Sequence, residues 1–219
     1  MFDVQTQNFG VSVESVFRKP VSLREAQPEI CAEKLVALLH SWNLKPTRLV
    51  LYERDPLYSY EFNFAVYGES AKIALNSERF NLSFANGRAQ VDLQAIAKGL
   101  IGFSECFSLP GDSFTTANLY AHASFNPSSA YEEFTSKFTF AGGNVELAGT
   151  IAHLKTKTWT QPIRFMIDRS EMFPSSLFLH WTTKLKNWPI TLDAIEGIKA
   201  ATDETSEMFL LKFGPLAAV

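Results

Sequence analysis

The chain has 219 residues, a formal net charge of -3, 46% hydrophobic residues and 20% charged residues, with a pI near 5.8. This composition excludes a disordered chain, and it lacks the basic face that a phosphate backbone demands, so nucleic acid is not an expected partner. The length suits a single domain over residues 1–219, or two tightly fused halves.

Taken in chain order, residues 1–6 carry neither the basic nor the apolar stretch of a signal peptide. No run approaches the ~20 apolar residues of a membrane helix, so the expectation is a cytoplasmic protein without membrane contact. Residues 10–17 alternate apolar and polar, with Val11, Val13 and Phe17 on one side, and predict a half-buried strand. Ser22 and Glu25 form a capping box, and Ile30, Leu35, Leu38 and Leu39 supply the apolar face of a helix ending near Trp42. Strands follow over 47–53 and 57–67. In the second, Tyr58, Tyr60, Phe62, Phe64 and Val66 hold alternate positions, a clear period of two. Arg54, Asp55 and Pro56 between them predict an antiparallel hairpin. Residues 72–75 and 79–84 continue the meander, and Asn86-Gly87 ends it.

The period becomes helical from Ala89 to about Phe107, and Pro110-Gly111-Asp112 breaks that helix. Residues 114–125 predict a strand with Leu119, Ala121, Ala123 and Phe125 on one face. A short helix is expected within 127–138. Residues 145–154, 162–168 and 176–184 predict three strands that pair in sequence, and a closing helix begins after Pro189 and runs to about Phe209. Helices and strands do not alternate one for one, which disfavours a parallel sheet. The expected class is α+β: antiparallel meanders packed against long helices. Residues 93–99 and 192–197 each open a helix after a meander, which suggests two similar halves, about 10–110 and 114–213.

Cys31 and Cys106 have no pairing or zinc spacing and read as small buried hydrophobes in a reducing compartment. No nucleotide-binding, hydrolase, metalloprotease or dithiol motif is present, so no cofactor and no metal is expected. Gly142-Gly143-Asn144 reads as a turn. His40 reads as a residue of a helix end. His122, His153 and His180 fall on predicted strands, and a site would need two of them in one space with a carboxylate to orient the proton. His122 shares the polar side of its strand with Asn118 and Tyr120, while His180 lies on the face of Phe178. The acidic pairs Glu132-Glu133 and Asp203-Glu204 read as solvated faces. Trp159, in the polar stretch 155–161, either folds back on the core or marks a contact surface, the core being favoured.

The order from residues 11–17 through the closing helix resembles a sporadically distributed family of uncharacterised bacterial α+β proteins, over most of residues 10–213. The proline-rich entry and the closing-helix histidine of that family have no counterpart here. The resemblance implies an architecture and a bacterial cytoplasmic setting, and no site residues.

Three functional readings follow. The first is a non-catalytic interaction module that presents a sheet or helix face to a protein partner or to its own copy, motivated by sheet edges that must be covered. The second is a binder of a small apolar ligand, with Tyr58, Tyr60, Phe62, Phe64 and Phe80 as lining residues, motivated by the nineteen phenylalanines. The third is an enzyme with His122, His153 or His180 as general base.

Overall fold

The computed structural model describes residues 1–20, 33–34, 36–37, 49–55, 59–66, 69–76, 78–87, 113–138, 149–185 and 192–214. The described strands are β1 (Phe2–Phe17), β2 (Leu49–Asp55), β3 (Ser59–Val66), β4 (Glu69–Asn76), β5 (Arg79–Gly87), β6 (Ser113–Phe125), β7 (Thr150–Leu154), β8 (Ile163–Arg169), β9 (Ser176–Leu185) and β10 (Leu211–Phe213). Two helices accompany them, α1 (Ala130–Ser136) and α2 (Leu192–Met208), and residues 33–34 and 36–37 are helical. The expected balance of meanders and long helices is therefore corrected toward a β-rich antiparallel architecture. Among the described residues only α2, at 17 residues, is a long helix, since α1 has 7. The helix expected from Ala89 to Phe107, the turn at 142–144, both cysteines and His40 lie outside the described residues.

The chain divides into two compact units, one of residues 1–10, 118–183 and 197–219, the other of residues 11–117 and 184–196. In the second unit the strand order is β2-β3-β4-β5-β1-β6. Its meander is antiparallel throughout, with Phe62 opposite Leu51 and Ile73, and Leu75 opposite Phe80. The β4–β5 turn is closed by Asn76, whose Oδ1 accepts from the amides of Glu78 and Arg79 at 2.9 and 2.8 Å. Asparagine suits that role because its side chain mimics a backbone acceptor. Between the two long strands, Ser15 Oγ and Thr115 Oγ1 share a buried hydrogen bond of 2.8 Å.

In the first unit β6 is followed by β9, β8 and β7, and β10 pairs in parallel with the start of β1. One face of these strands is the core. Leu119, Ala121, Ala123 and Phe125 on β6, Ile163, Phe165 and Ile167 on β8, and Leu177, Leu179 and Trp181 on β9 are all buried. Phe134 of α1 fits edge-on against Phe2, with ring centroids 5.4 Å apart, and Ile198 and Ala201 of α2 are buried too. The alternation of β8 over 163–168 and of β9 over 177–183, buried then half-buried, leaves a second face to the strands.

Strand β1 does not keep one alternation. Phe2 and Val4 are buried at even positions, whereas Val11, Val13, Ser15 and Phe17 are buried at odd ones. The contacts with β6 slip by one residue over the same stretch, from Gln7 with Ser124 to Gly10 with Tyr120 and Ser15 with Thr115. A bulge-like irregularity between Gln7 and Gly10 accounts for both, since one extra residue reverses which side chains face inward. Gly10 is required there because the Tyr120 ring occupies the space a Cβ would take.

Candidate functional site

The outward face of the first unit carries the sequence-predicted histidines, and strand register arranges it in rows. His153 on β7 stands opposite Arg164 on β8, which stands opposite Thr182 on β9. The next row is Ile151, Met166 and His180, and the third joins Asp168 to Phe178. Strand β6 completes the rows. Thr182 Oγ1 donates to Asn118 Oδ1 at 3.0 Å, and the His122 ring lies 5.1 Å from Phe178. Those two contacts run antiparallel, so Tyr120 falls beside His180.

His122 and His180 therefore flank one aromatic plate, with the His180 ring 6.2 Å from that of Phe178. His153 does not join them. It is exposed and two strands from His180, about 10 Å by strand spacing alone. The alternation of β6 and β9 was readable from sequence. The placement of the two rings against one phenylalanine was not, because it depends on β6 pairing with a strand more than fifty residues later.

His122 is 7% exposed. Its Nδ1 lies 2.9 Å from Ser170 Oγ, at the start of the β8–β9 connection. Ser170 Oγ also accepts from the amides of Met172 and Phe173, at 3.2 and 3.0 Å. A hydroxyl has two lone pairs and one proton. With both lone pairs occupied by amides, its proton points to His122, so Nδ1 is an acceptor and the imidazole is neutral, protonated at Nε2. Burial holds the His122 pKa below the ordinary histidine value, as desolvation of a cation requires.

For His180 the hydrogen bond places a proton on Nε2. The Thr182 hydroxyl spends its proton on Asn118, so toward His180 Nε2, 3.4 Å away, it can only accept. Burial lowers the His180 pKa, and the Arg164 guanidinium lowers it further.

Among the described residues neither ring is hydrogen-bonded to a carboxylate. A neutral imidazole without an orienting acid, pushed toward lower basicity, is a weak general base at neutral pH. It remains a good hydrogen-bonding surface group. Among the described residues no three His, Cys, Asp or Glu side chains gather as a metal ion would require, and no helix is long and apolar enough to cross a membrane.

The proposed ligand-lining residues belong to the second unit. Tyr58 lies outside the described residues. Tyr60, Phe62 and Phe64 alternate along β3, and register puts Tyr60 in one row with Leu75 and Phe80. Of these residues Phe80 is fully buried.

One sequence reading of the 155–161 stretch holds and one reading of α2 is corrected. Trp159 does fold back: its Nε1 donates to Thr183 Oγ1 at 2.8 Å, and its ring lies against Gly197 of α2. Glu204, read as a solvated residue, instead anchors the turn that carries this tryptophan. Its carboxylate accepts from the Lys157 amide at 3.0 Å and from Thr158 Oγ1 at 3.2 Å. The signal was available in the run of threonines, which hold turns through side-chain hydrogen bonds. The carboxylate's origin on α2 was not. Compared with known protein families and with curated proteins, the chain matches no family model and no individual protein.

Proposed function

We propose that the protein is a non-catalytic interaction module that pairs with a second copy of itself through the outward face of β6, β9, β8 and β7. The observation that carries this reading is the makeup of that face. Tyr120, Met166, Phe173 and Phe178 are half-buried, and Ile151 is 50% exposed. Aromatic residues, methionine and arginine are the types enriched where proteins meet.

The charges favour a second copy as partner. Arg164 and Asp168 stand on β8 at equal distances either side of Met166 and on the same face. A two-fold axis crossing β8 at Met166 turns Arg164 of one copy over Asp168 of the other, twice, with the Ile151–Met166–His180 row packed on itself. That is the self-complementary pattern of an isologous interface. The neutrality of both imidazoles supports binding over catalysis. Two further elements belong to the same reading. One is a bacterial cytoplasmic setting, which the family resemblance implies. The other is a pair of similar halves with helices packed on the meanders, supported by β5 returning beside β1 as β9 returns beside β6.

Sedimentation equilibrium and native mass spectrometry over a wide concentration range test the proposal. The wild-type chain is expected to dimerise with rising concentration, and Arg164→Asp to be monomeric. Arg164→Asp combined with Asp168→Arg is expected to recover the dimer. A wild-type chain that stays monomeric throughout overturns the reading. An added small-molecule mass would redirect attention to Tyr60, Phe62, Phe64 and Phe80.

A further inference from the structure

We propose that His122 and Ser170 form an acid-released latch that holds the β8–β9 connection, residues 170–175, against the outward face. This rests on the hydrogen-bond geometry and stands whether or not that face binds a second copy.

Every bond of the latch runs through one oxygen. Ser170 Oγ accepts from Met172 N and Phe173 N and gives its only proton to His122 Nδ1. The connection is also tied by the Ser170 amide to the Ser176 carbonyl at 2.8 Å, and it turns through Ser175 at a positive φ of 49°. Phe173 then lies edge-on to the His122 ring, centroids 5.5 Å apart. Met172, at the outer bend, is 58% exposed.

Protonating His122 reverses the role of Nδ1 from acceptor to donor. Two donors then face each other, Nδ1–H and Oγ–H, and no lone pair of Ser170 is free to receive the new proton. Either the imidazolium stays unpaired in a buried position, or Ser170 surrenders one of its two amides. The first is the costlier state, because a buried charge without a partner is strongly penalised. Acid therefore opens the turn at Met172 and Phe173, and Phe173 leaves the ring it covers.

The titratable and charged groups around His122 are known by element. Tyr120 shares its strand, His180 comes from β9, and Arg164 and Asp168 come from β8. Arg169 and Glu171 flank Ser170 itself. Arg164 opposes a positive charge on His180 in addition to burial, whereas on His122 the charge is opposed by burial alone. Acidification thus acts on His122 with His180 held back by its arginine.

Amide hydrogen exchange, corrected for the intrinsic pH dependence, tests the latch. Between about pH 7.5 and about pH 5, a span that brackets the ordinary histidine range, protection of the Met172 and Phe173 amides is expected to fall by about tenfold or more. The Arg164→Asp chain should also lose this protection in acid, which separates the latch from any dimer. In His122→Asn, whose amide oxygen still accepts from Ser170 but does not titrate, the acid response should vanish. Ring-nitrogen NMR of the wild-type chain adds a readout that needs no variant: at neutral pH the His122 proton is expected on Nε2. Unchanged protection across the range overturns the proposal, as does a proton on Nδ1 or a full acid response in His122→Asn.

Discussion

Both described tryptophans are held by the same small device. Trp181 Nε1 donates to Thr205 Oγ1 at 2.9 Å, and that hydroxyl donates in turn to the Thr202 carbonyl at 3.0 Å. Trp159 repeats the relay through Thr183 to the Pro162 carbonyl. An indole N–H carried into a core must find an acceptor, and threonine supplies one while its methyl group packs against carbon. Trp181 and Thr205 are both buried, so Thr205→Val keeps the shape and orphans the indole. The expected loss is about 1–3 kcal/mol, read in urea as a lower midpoint with an unchanged slope. Thr205→Ser, which retains the acceptor, should lose much less. An equal loss in both variants would show that the methyl contact, not the hydrogen bond, matters. Sequence alone could not assign these pairs, since each joins residues 24 apart on different elements.

Elements carried most of what was legible. β6, β8 and β9 have apolar residues at every second position, because one side of each lies against a core and the other does not. The expected pairing of the last three strands in sequence holds, with β7, β8 and β9 antiparallel. Two stretches were missed, Phe2 to Phe9 and Leu211–Phe213. In the first the alternation reverses phase within β1, which destroys the periodic signal. The second is three residues long and exists as a strand through its partner, with Phe2 opposite Leu211 and Val4 opposite Phe213. In α2 a local rule is broken for a tertiary reason. Glycine inside a helix costs about 1 kcal/mol relative to alanine, yet a Cβ at Gly197 would come within 3.0 Å of Trp159 Cε3. Gly197→Ala should therefore stabilise by about 1 kcal/mol in a Trp159→Ala background and give no such gain in the wild type. Equal gains in both backgrounds would remove this role for the tryptophan. The comparison is a double-mutant cycle, the direct measure of coupling between neighbours.

For the whole molecule, the two neutral imidazoles make stability depend on pH. Folded pKa values of His122 and His180 lie below the ordinary 6.5, by burial for both and by Arg164 for His180 in addition. Below about 6.5 the unfolded chain thus takes up protons that the folded chain refuses. Stability should be complete above ~pH 7 and should fall as pH drops through 6.5 toward the folded values. Asp203 has the opposite sign: burial raises its pKa above 3.8 despite the opposing effect of Lys199, so it favours the folded chain in acid. Urea midpoints between about pH 7.5 and about pH 5.5, inside the histidine range, should decrease in the wild type. They should decrease less in His122→Asn, and a flat wild-type profile would contradict the assigned neutral rings. By itself the sequence determined the antiparallel meanders, the polar side of β6 shared by Asn118, Tyr120 and His122, and the position of His180 beside Phe178. These are consequences of local periodicity and are written in neighbouring residues. Tertiary structure alone decided that Ser170 meets His122, that Glu204 holds the Trp159 turn, and that β10 joins β1. Each of these links segments distant in the chain, and a periodic pattern says which face a residue takes but not what will be brought against it.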